Sequence, residues 1–253
     1  MKKCMSVFMG FGLSSFFQVN LMAAGTPKKF ATEIERVFSI EVGFDNNDDV
    51  VFPVLGSLPS TCYKLAPSDF HVDKKRHKIY IQTQAYFQPS KTCIQVKIPF
   101  LDVIHVGALP EGRYDVVTYS NSGISESLQV EKSTTEDTDQ YLYAPVDRVD
   151  ITPPSVSLNS HTPQEITLSG TYPYFLSGCM RVVEVKTYET GKDVLVVLPI
   201  AQIFEDKDCR AADVDAFNRF TVRATLKSSL NDKNLIHVRT LNGSSVNQLS
   251  AAK

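Results

Sequence analysis

Four of the five cysteines, Cys62, Cys93, Cys179 and Cys209, lie beyond the N-terminal segment that holds Cys4 and do most to limit the chemistry open to this 253-residue chain. A nucleophilic cysteine needs a free thiolate beside a base, and a disulfide exchanger needs Cys-x-x-Cys. A structural zinc site shows Cys-x-x-Cys or short Cys/His pairs. None of these spacings occurs. An even number of widely spaced cysteines points instead to disulfides. Four cysteines allow three pairings. Sequence order and the internal repeat described below favour Cys62–Cys93 and Cys179–Cys209, which are 31 and 30 residues apart. Loops of that size give each bridge roughly 3–4 kcal/mol by loop-closure entropy.

Other chemistries find less support. A serine hydrolase would show Gly-x-Ser-x-Gly or an equivalent Ser, His and Asp set, and the motif is missing. Asp45, Asn47 and Asp49 alternate as calcium ligands could, but Val50 and Gly56 stand where an EF-hand needs Gly and Glu, so the segment reads as a solvated turn. The histidines (His71, His77, His105, His161, His237) have no third ligand at metal spacing. No catalytic residue, metal site or cofactor is expected. Lys74-Lys-Arg-His-Lys78 is the densest basic cluster and reads as a charged hairpin tip. Tyr172, Tyr174 and Phe175 around Pro173 form an aromatic cluster that is a contact surface if exposed and packing if buried.

The bulk numbers agree. Hydrophobic residues make up 43% and charged residues 21% of the chain, a globular mix. A net charge of -2 carries no footprint for nucleic acid and, over the whole chain, none for an anionic membrane. Met1-Lys2-Lys3, the apolar run Met5–Phe17 and the small residues around Ala23-Ala24-Gly25 have the anatomy of a signal peptide, residues 1–24, which would also remove Cys4. The run is short for a bilayer span, and no later stretch approaches one. The expected location is therefore periplasmic or extracellular, where disulfides persist.

The positioning elements read as strands. Alternation predicts strands over Phe38–Phe44, Lys78–Phe87, Cys93–Phe100 and Gly112–Tyr119, with an apolar run at Val50–Leu55. A polar stretch, residues 131–149, reads as a linker between domains at 30–130 and 150–245. Beyond it, Met180–Tyr188 and Asp193–Leu198 flank a turn as a hairpin, and Arg219–Leu226 and Asn234–Leu241 are the last expected strands. Ile200, Ile203 and Phe204, and then Val214 and Phe217, have helical spacing, which suggests a short helix within 200–217. The halves align: Gly56 to Cys62 with Gly170 to Cys179, and Pro99-Phe100 near Phe217. The expected fold is all-β, a tandem repeat of two Ig-like β-sandwich domains with one disulfide each.

Residues 50–120 also carry a recognisable pattern: Gly56, Leu58, Pro59 and Cys62, then Cys93, Pro99 and Phe100, then Leu109, Pro110, Gly112 and Tyr114. This resembles Ig-like β-sandwich modules of bacterial exported proteins, whose activity is unassigned. The resemblance implies architecture and export and no chemistry. The spacing differs from an antibody domain, since no Trp lies between the cysteines. The expected function is a non-enzymatic exported binding or structural protein of the cell envelope, its partner an unknown protein or envelope glycan. The alternatives are an envelope hydrolase or carbohydrate-active protein with a loop-borne site, and a secreted protein inhibitor presenting one rigid loop.

Overall fold

A computed structural model describes residues 28–40, 42, 44–88, 92–119, 123–152, 164–176, 178–190, 193–204, 218–226 and 233–250. Among them, the first half forms β1 (Lys29–Ala31), β2 (Glu33–Val37), β3 (Val50–Leu58), β4 (Tyr63–Asp73), β5 (Lys78–Phe87), β6 (Ile98–Gly107), β7 (Gly112–Thr118) and β8 (Ser125–Val130). The second half forms β9 (Val146–Ile151), β10 (Glu165–Thr171), β11 (Met180–Thr190), β12 (Val194–Ile203), β13 (Arg219–Thr225), β14 (Leu235–Arg239) and β15 (Ser245–Leu249).

The first half is a sandwich of the sheet β2-β3-β6 on the sheet β4-β5-β7-β8, with β1 added along β5. Strict alternation along β5 sends Ile79, Ile81 and Ala85 inward, where they are fully buried, and leaves Tyr80, Gln82 and Gln84 outside. Phe52, Val54, Val116 and Leu128 complete that core. The start of β7 shows why Leu-Pro-x-Gly-x-Tyr is useful. Leu109 and Tyr114 are buried, and the Tyr114 hydroxyl donates to the Pro110 carbonyl at 3.1 Å. Gly112 holds φ at 145°, and a Cβ there would come within 2.8 Å of His77, whose ring stacks on Tyr114.

The second half repeats the plan strand for strand, β9 to β15 following β2 to β8. Its sheets are β9-β10-β13 and β11-β12-β14-β15. Both halves place one parallel pair inside an otherwise antiparallel sheet, β5 with β7 and β12 with β14. Gly56 faces Phe100 across β3 and β6, as Gly170 faces Phe220 across β10 and β13. A Cβ on either glycine would lie within 3 Å of that ring and of a backbone carbonyl, Glu33 for Gly56 and Pro145 for Gly170, which together exclude any side chain there. The counterpart of Phe100 is therefore Phe220, three residues beyond the expected Phe217, which lies outside the described residues.

The sandwiches also share an apolar seam. The outer face of β3 supplies Val51 and Leu55, and the outer faces of β12 and β14 supply Val194, Val196, Leu198 and Leu235. Phe38, Ile40, Phe44 and Tyr143 fill the space between. β3 is consequently buried at all nine positions, and β12 at its first eight. Exposed ion pairs, Arg36–Asp193 and Lys233–Glu35, close the rim and add little energy.

Several expectations need correction. Phe38, Ile40 and Phe44 are buried together and Val42 packs against them, but the chain leaves the ladder after β2 and enters the seam, so the described residues of 38–44 form no strand. Residues 93–97 also lie outside the ladder, and β6 starts only at Ile98. Ile200 and Ile203 belong to β12, not to a helix: pairing of 180–190 with 194–203 extends the hairpin past Pro199. Residues 205–217 lie outside the described residues. β9 begins at Val146, within the stretch read as linker, and β15 follows the strand expected to be last. Neither stands out in the sequence, because short, polar-rich strands carry weak alternation.

Candidate binding surface

The structure brings the first two cysteines together: Cys62 and Cys93 form a disulfide with Cα atoms 5.3 Å apart. Cys179 is also disulfide-bonded, while Cys209 lies outside the described residues. The bridge ties the start of β4 to the segment before β6, and Thr61 and Ile94 hydrogen-bond alongside it.

The turn at 45–49 is engaged within the protein. The Asp45 carboxylate accepts from the Asn47 amide, and Asp48 accepts from the Asp45 amide. Asn47 donates to the carbonyls of Thr135 and Asp137, which docks the polar stretch 131–139 onto this turn. Asp49 pairs with His105 at 3.0 Å on the surface. His71 stacks on Tyr80 and His77 on Tyr114. His161 lies outside the described residues. Among the described residues no three His, Cys, Asp or Glu side chains converge as metal ligands.

Beside that turn sits a polar knot that sequence inspection missed. Arg239, buried on β14, donates to Asp48 at 2.8 Å and to Asp139, and its guanidinium lies 4.6 Å from the centre of the Phe44 ring and 5.5 Å from that of Tyr143. Burial lifts the Asp48 carboxyl above its ordinary value, and the Arg239 charge offsets part of that rise. For Arg239 the desolvation works downward, yet the two carboxylates outweigh it and hold the cation. Burial pushes the Tyr143 hydroxyl up to about 12. Two positions before Arg239, His237 is fully buried. Its Nδ1 lies 2.7 Å from the Asn247 side-chain oxygen, Nε2 has no hydrogen-bond partner among the described residues, and desolvation pushes its pKa down to about 4. A shallow cleft lined by Asp45, Asp48, Glu131, Lys132 and Tyr143 opens beside this knot. The chemistry of the knot is that of a clamp between sandwiches.

The aromatic cluster divides into buried and exposed members. Tyr172 is buried and stacks on Phe220 at 4.8 Å. Pro173 then opens a single 3-10 turn, Tyr174–Leu176, closed by the Leu176 amide on the Pro173 carbonyl. Leu176 packs against the core, and the Cys179 amide bonds to the Leu176 carbonyl. Between these anchors Tyr174 and Phe175 stand 74% and 80% exposed. Arg181 lies over the nearby Phe204 ring at 5.3 Å. Large apolar side chains this exposed, on a turn held by hydrogen bonds on either side, form an apolar patch on the surface. Among the described residues the first sandwich has no equivalent aromatic turn after Pro59. Leu58 and Pro59 match Tyr172 and Pro173, but Cys62 follows Pro59 by three residues and Cys179 follows Pro173 by six. The exposed pair belongs to that longer loop.

Comparison with known proteins bears on the first sandwich alone. No curated protein and no solved structure matches the chain significantly. Residues 52–130, from within β3 to the end of β8, match the family model of the ORF11 beta-sandwich domain, which supports reading this part of the chain as a β-sandwich module.

Proposed function

We propose that this chain is a non-enzymatic, exported binding protein of the cell envelope, and that the Tyr174–Phe175 turn is part of its contact surface. The observation that carries this reading is the pair of exposed aromatic rings held between the buried Tyr172 and Leu176. Aromatic side chains on a pre-ordered turn bury much area with little loss of rotamer entropy, which is what a recognition loop needs. The projecting shape suits a pocket on a protein partner better than a glycan, which requires a flat or concave platform with convergent polar groups. Export rests on the basic, apolar and small-residue succession at residues 1–24 and fits the Cys62–Cys93 disulfide.

The test is a Tyr174→Ser, Phe175→Ser double variant, which leaves Tyr172 and Leu176 in place. Retention on isolated cell envelopes is expected to fall about tenfold or more, as for loss of an aromatic hot spot, with thermal unfolding unchanged. Equal retention of variant and wild type would remove the turn from the contact surface.

A further inference from the structure

We infer that the disulfide end of the first sandwich docks on an anionic lipid surface. Three rings meet there: Phe30 with Tyr63 at 6.1 Å, Phe30 with Phe87 at 6.4 Å, and Tyr63 with Phe87 at 5.1 Å. Phe30 lies opposite Ala85 and Phe87 opposite Tyr63 in the ladder, so the rings continue the inward face of the sheet. None of the three belongs to the core of the sandwich. Phe87 is 37% exposed, and Ile94, hydrogen-bonded through its backbone to Thr61, is 63% exposed. The sheet therefore ends in apolar surface facing solvent.

The charge around it is mainly positive, the carboxylates of Glu33 and Glu35 beside Lys97 being the exception. The described parts of 28–32, 59–68 and 84–98 hold Lys28, Lys29, Lys64 and Lys97 and no Asp or Glu. Lys97 pairs with Glu33 at 2.7 Å, while Lys28, Lys29 and Lys64 are exposed. Two ammonium groups already lie over rings of this end, Lys28 over Phe30 at 5.1 Å and Lys29 over Tyr86 at 5.8 Å. The net charge of -2 for the whole chain conceals this local excess. Phe and Tyr rings beside lysines match the depth profile of a bilayer interface, with apolar groups at the acyl boundary and cations at the headgroups. A neutral surface would leave the lysines without partners, and a purely electrostatic contact would leave Phe87 and Ile94 unexplained.

The experiment is co-sedimentation of the chain from residue 25 onward with vesicles of phosphatidylcholine, alone or with about one-third phosphatidylglycerol. Binding is expected on the anionic vesicles only and should weaken steeply between about 50 and about 500 mM salt as the Debye length shortens. Each lysine near an anionic leaflet contributes roughly fivefold, so Lys28→Glu, Lys29→Glu, Lys64→Glu together should cut partitioning on the order of a hundredfold. Phe87→Ser with Ile94→Ser should cut it about tenfold while leaving the salt dependence in place. Equal binding to both vesicle types, no binding to either, or indifference to the variants would overturn the inference. So would binding to envelopes but not to vesicles of their extracted lipids, since that end would then recognise a protein. Tyr174 and Phe175 are unchanged in these variants, so this outcome and that of the aromatic-turn test are read separately.

Discussion

The two sandwiches share a topology and differ in which faces they hide. Matching Gly56 to Gly170 sets Leu55 against Ser169 and Val51 against Glu165 on the outer faces of β3 and β10. Matching the parallel pairs sets Tyr80 against Val196, Asp115 against Leu235 and Val117 against His237. The inward positions are apolar in both copies: Phe52 and Val54 correspond to Ile166 and Leu168, and Ile79 and Ile81 to Leu195 and Val197. Inward residues thus specify the sandwich, whereas outward residues specify how the copies assemble. The seam joins non-equivalent sheets, β2-β3-β6 of the first to β11-β12-β14-β15 of the second. Each copy therefore keeps apolar residues on one outer face and polar ones on the other, and the choice is opposite in the two copies.

The sharpest way to break this arrangement is at Arg239. Replacement by Ala removes the cation from between Asp48 and Asp139 and leaves Asp48 as a buried carboxylate without its partner. The expected loss is about 3–5 kcal/mol, read by urea unfolding. Arg148→Ala, at an exposed pair with Asp150, is the control and should stay within about 0.5 kcal/mol. A loss at Arg239 no larger than the control would mean that the seam rests on apolar contact alone.

Exchange of residue types between copies comes next. Leu55→Ser gives the first sandwich the residue that the second carries at the equivalent place. It should destabilise by roughly 3 kcal/mol, through a cavity and a buried hydroxyl. Ser169→Ala, on the half-buried outer face of β10, should change stability by about 0.5 kcal/mol or less. Similar losses at both positions would show that the two outer faces are not differently used.

Much of this contrast is legible in sequence. β5 alternates and is solvated on one face, while Val194-Leu-Val-Val-Leu198 is continuous and lies buried on both, the pattern expected for a strand covered from two sides. The Cys62–Cys93 bridge and the Gly56/Gly170 alignment could be read because a cysteine pair and a glycine under a ring each admit few alternatives. The seam itself could not. Arg239 lies in an ordinary strand pattern and its partners are 191 and 100 residues away, so nothing local marks it as buried. The aromatic turn was half legible: Tyr172, Tyr174 and Phe175 stand out by type, but their opposite fates depend on Phe220 and on where Leu176 packs. The basic and aromatic end of the first sandwich is assembled from three distant segments, none remarkable alone.

The one effect that depends on pH concerns His237, where the first copy has the half-buried Val117. In the folded chain its pKa is pushed down to about 4 by desolvation, below the ordinary histidine value of 6.5. Between those values the unfolded chain binds a proton that the folded chain refuses, so falling pH favours unfolding. Above 6.5 both states are neutral and the term vanishes; below about 4 both are protonated and the loss is complete. The difference corresponds to roughly 3 kcal/mol. Asp48 works the other way, since a carboxyl raised by burial takes up its proton more readily in the folded state and recovers stability as pH falls. The two are separated by comparison with His237→Gln, which keeps an amide donor facing Asn247 but cannot be protonated in this range. From pH 7 to pH 4 the wild type should lose about 3 kcal/mol more than the variant in urea unfolding, with most of the divergence below pH 6.5. Parallel profiles would mean that water reaches the ring, and that the seam at β14 is looser than its burial implies.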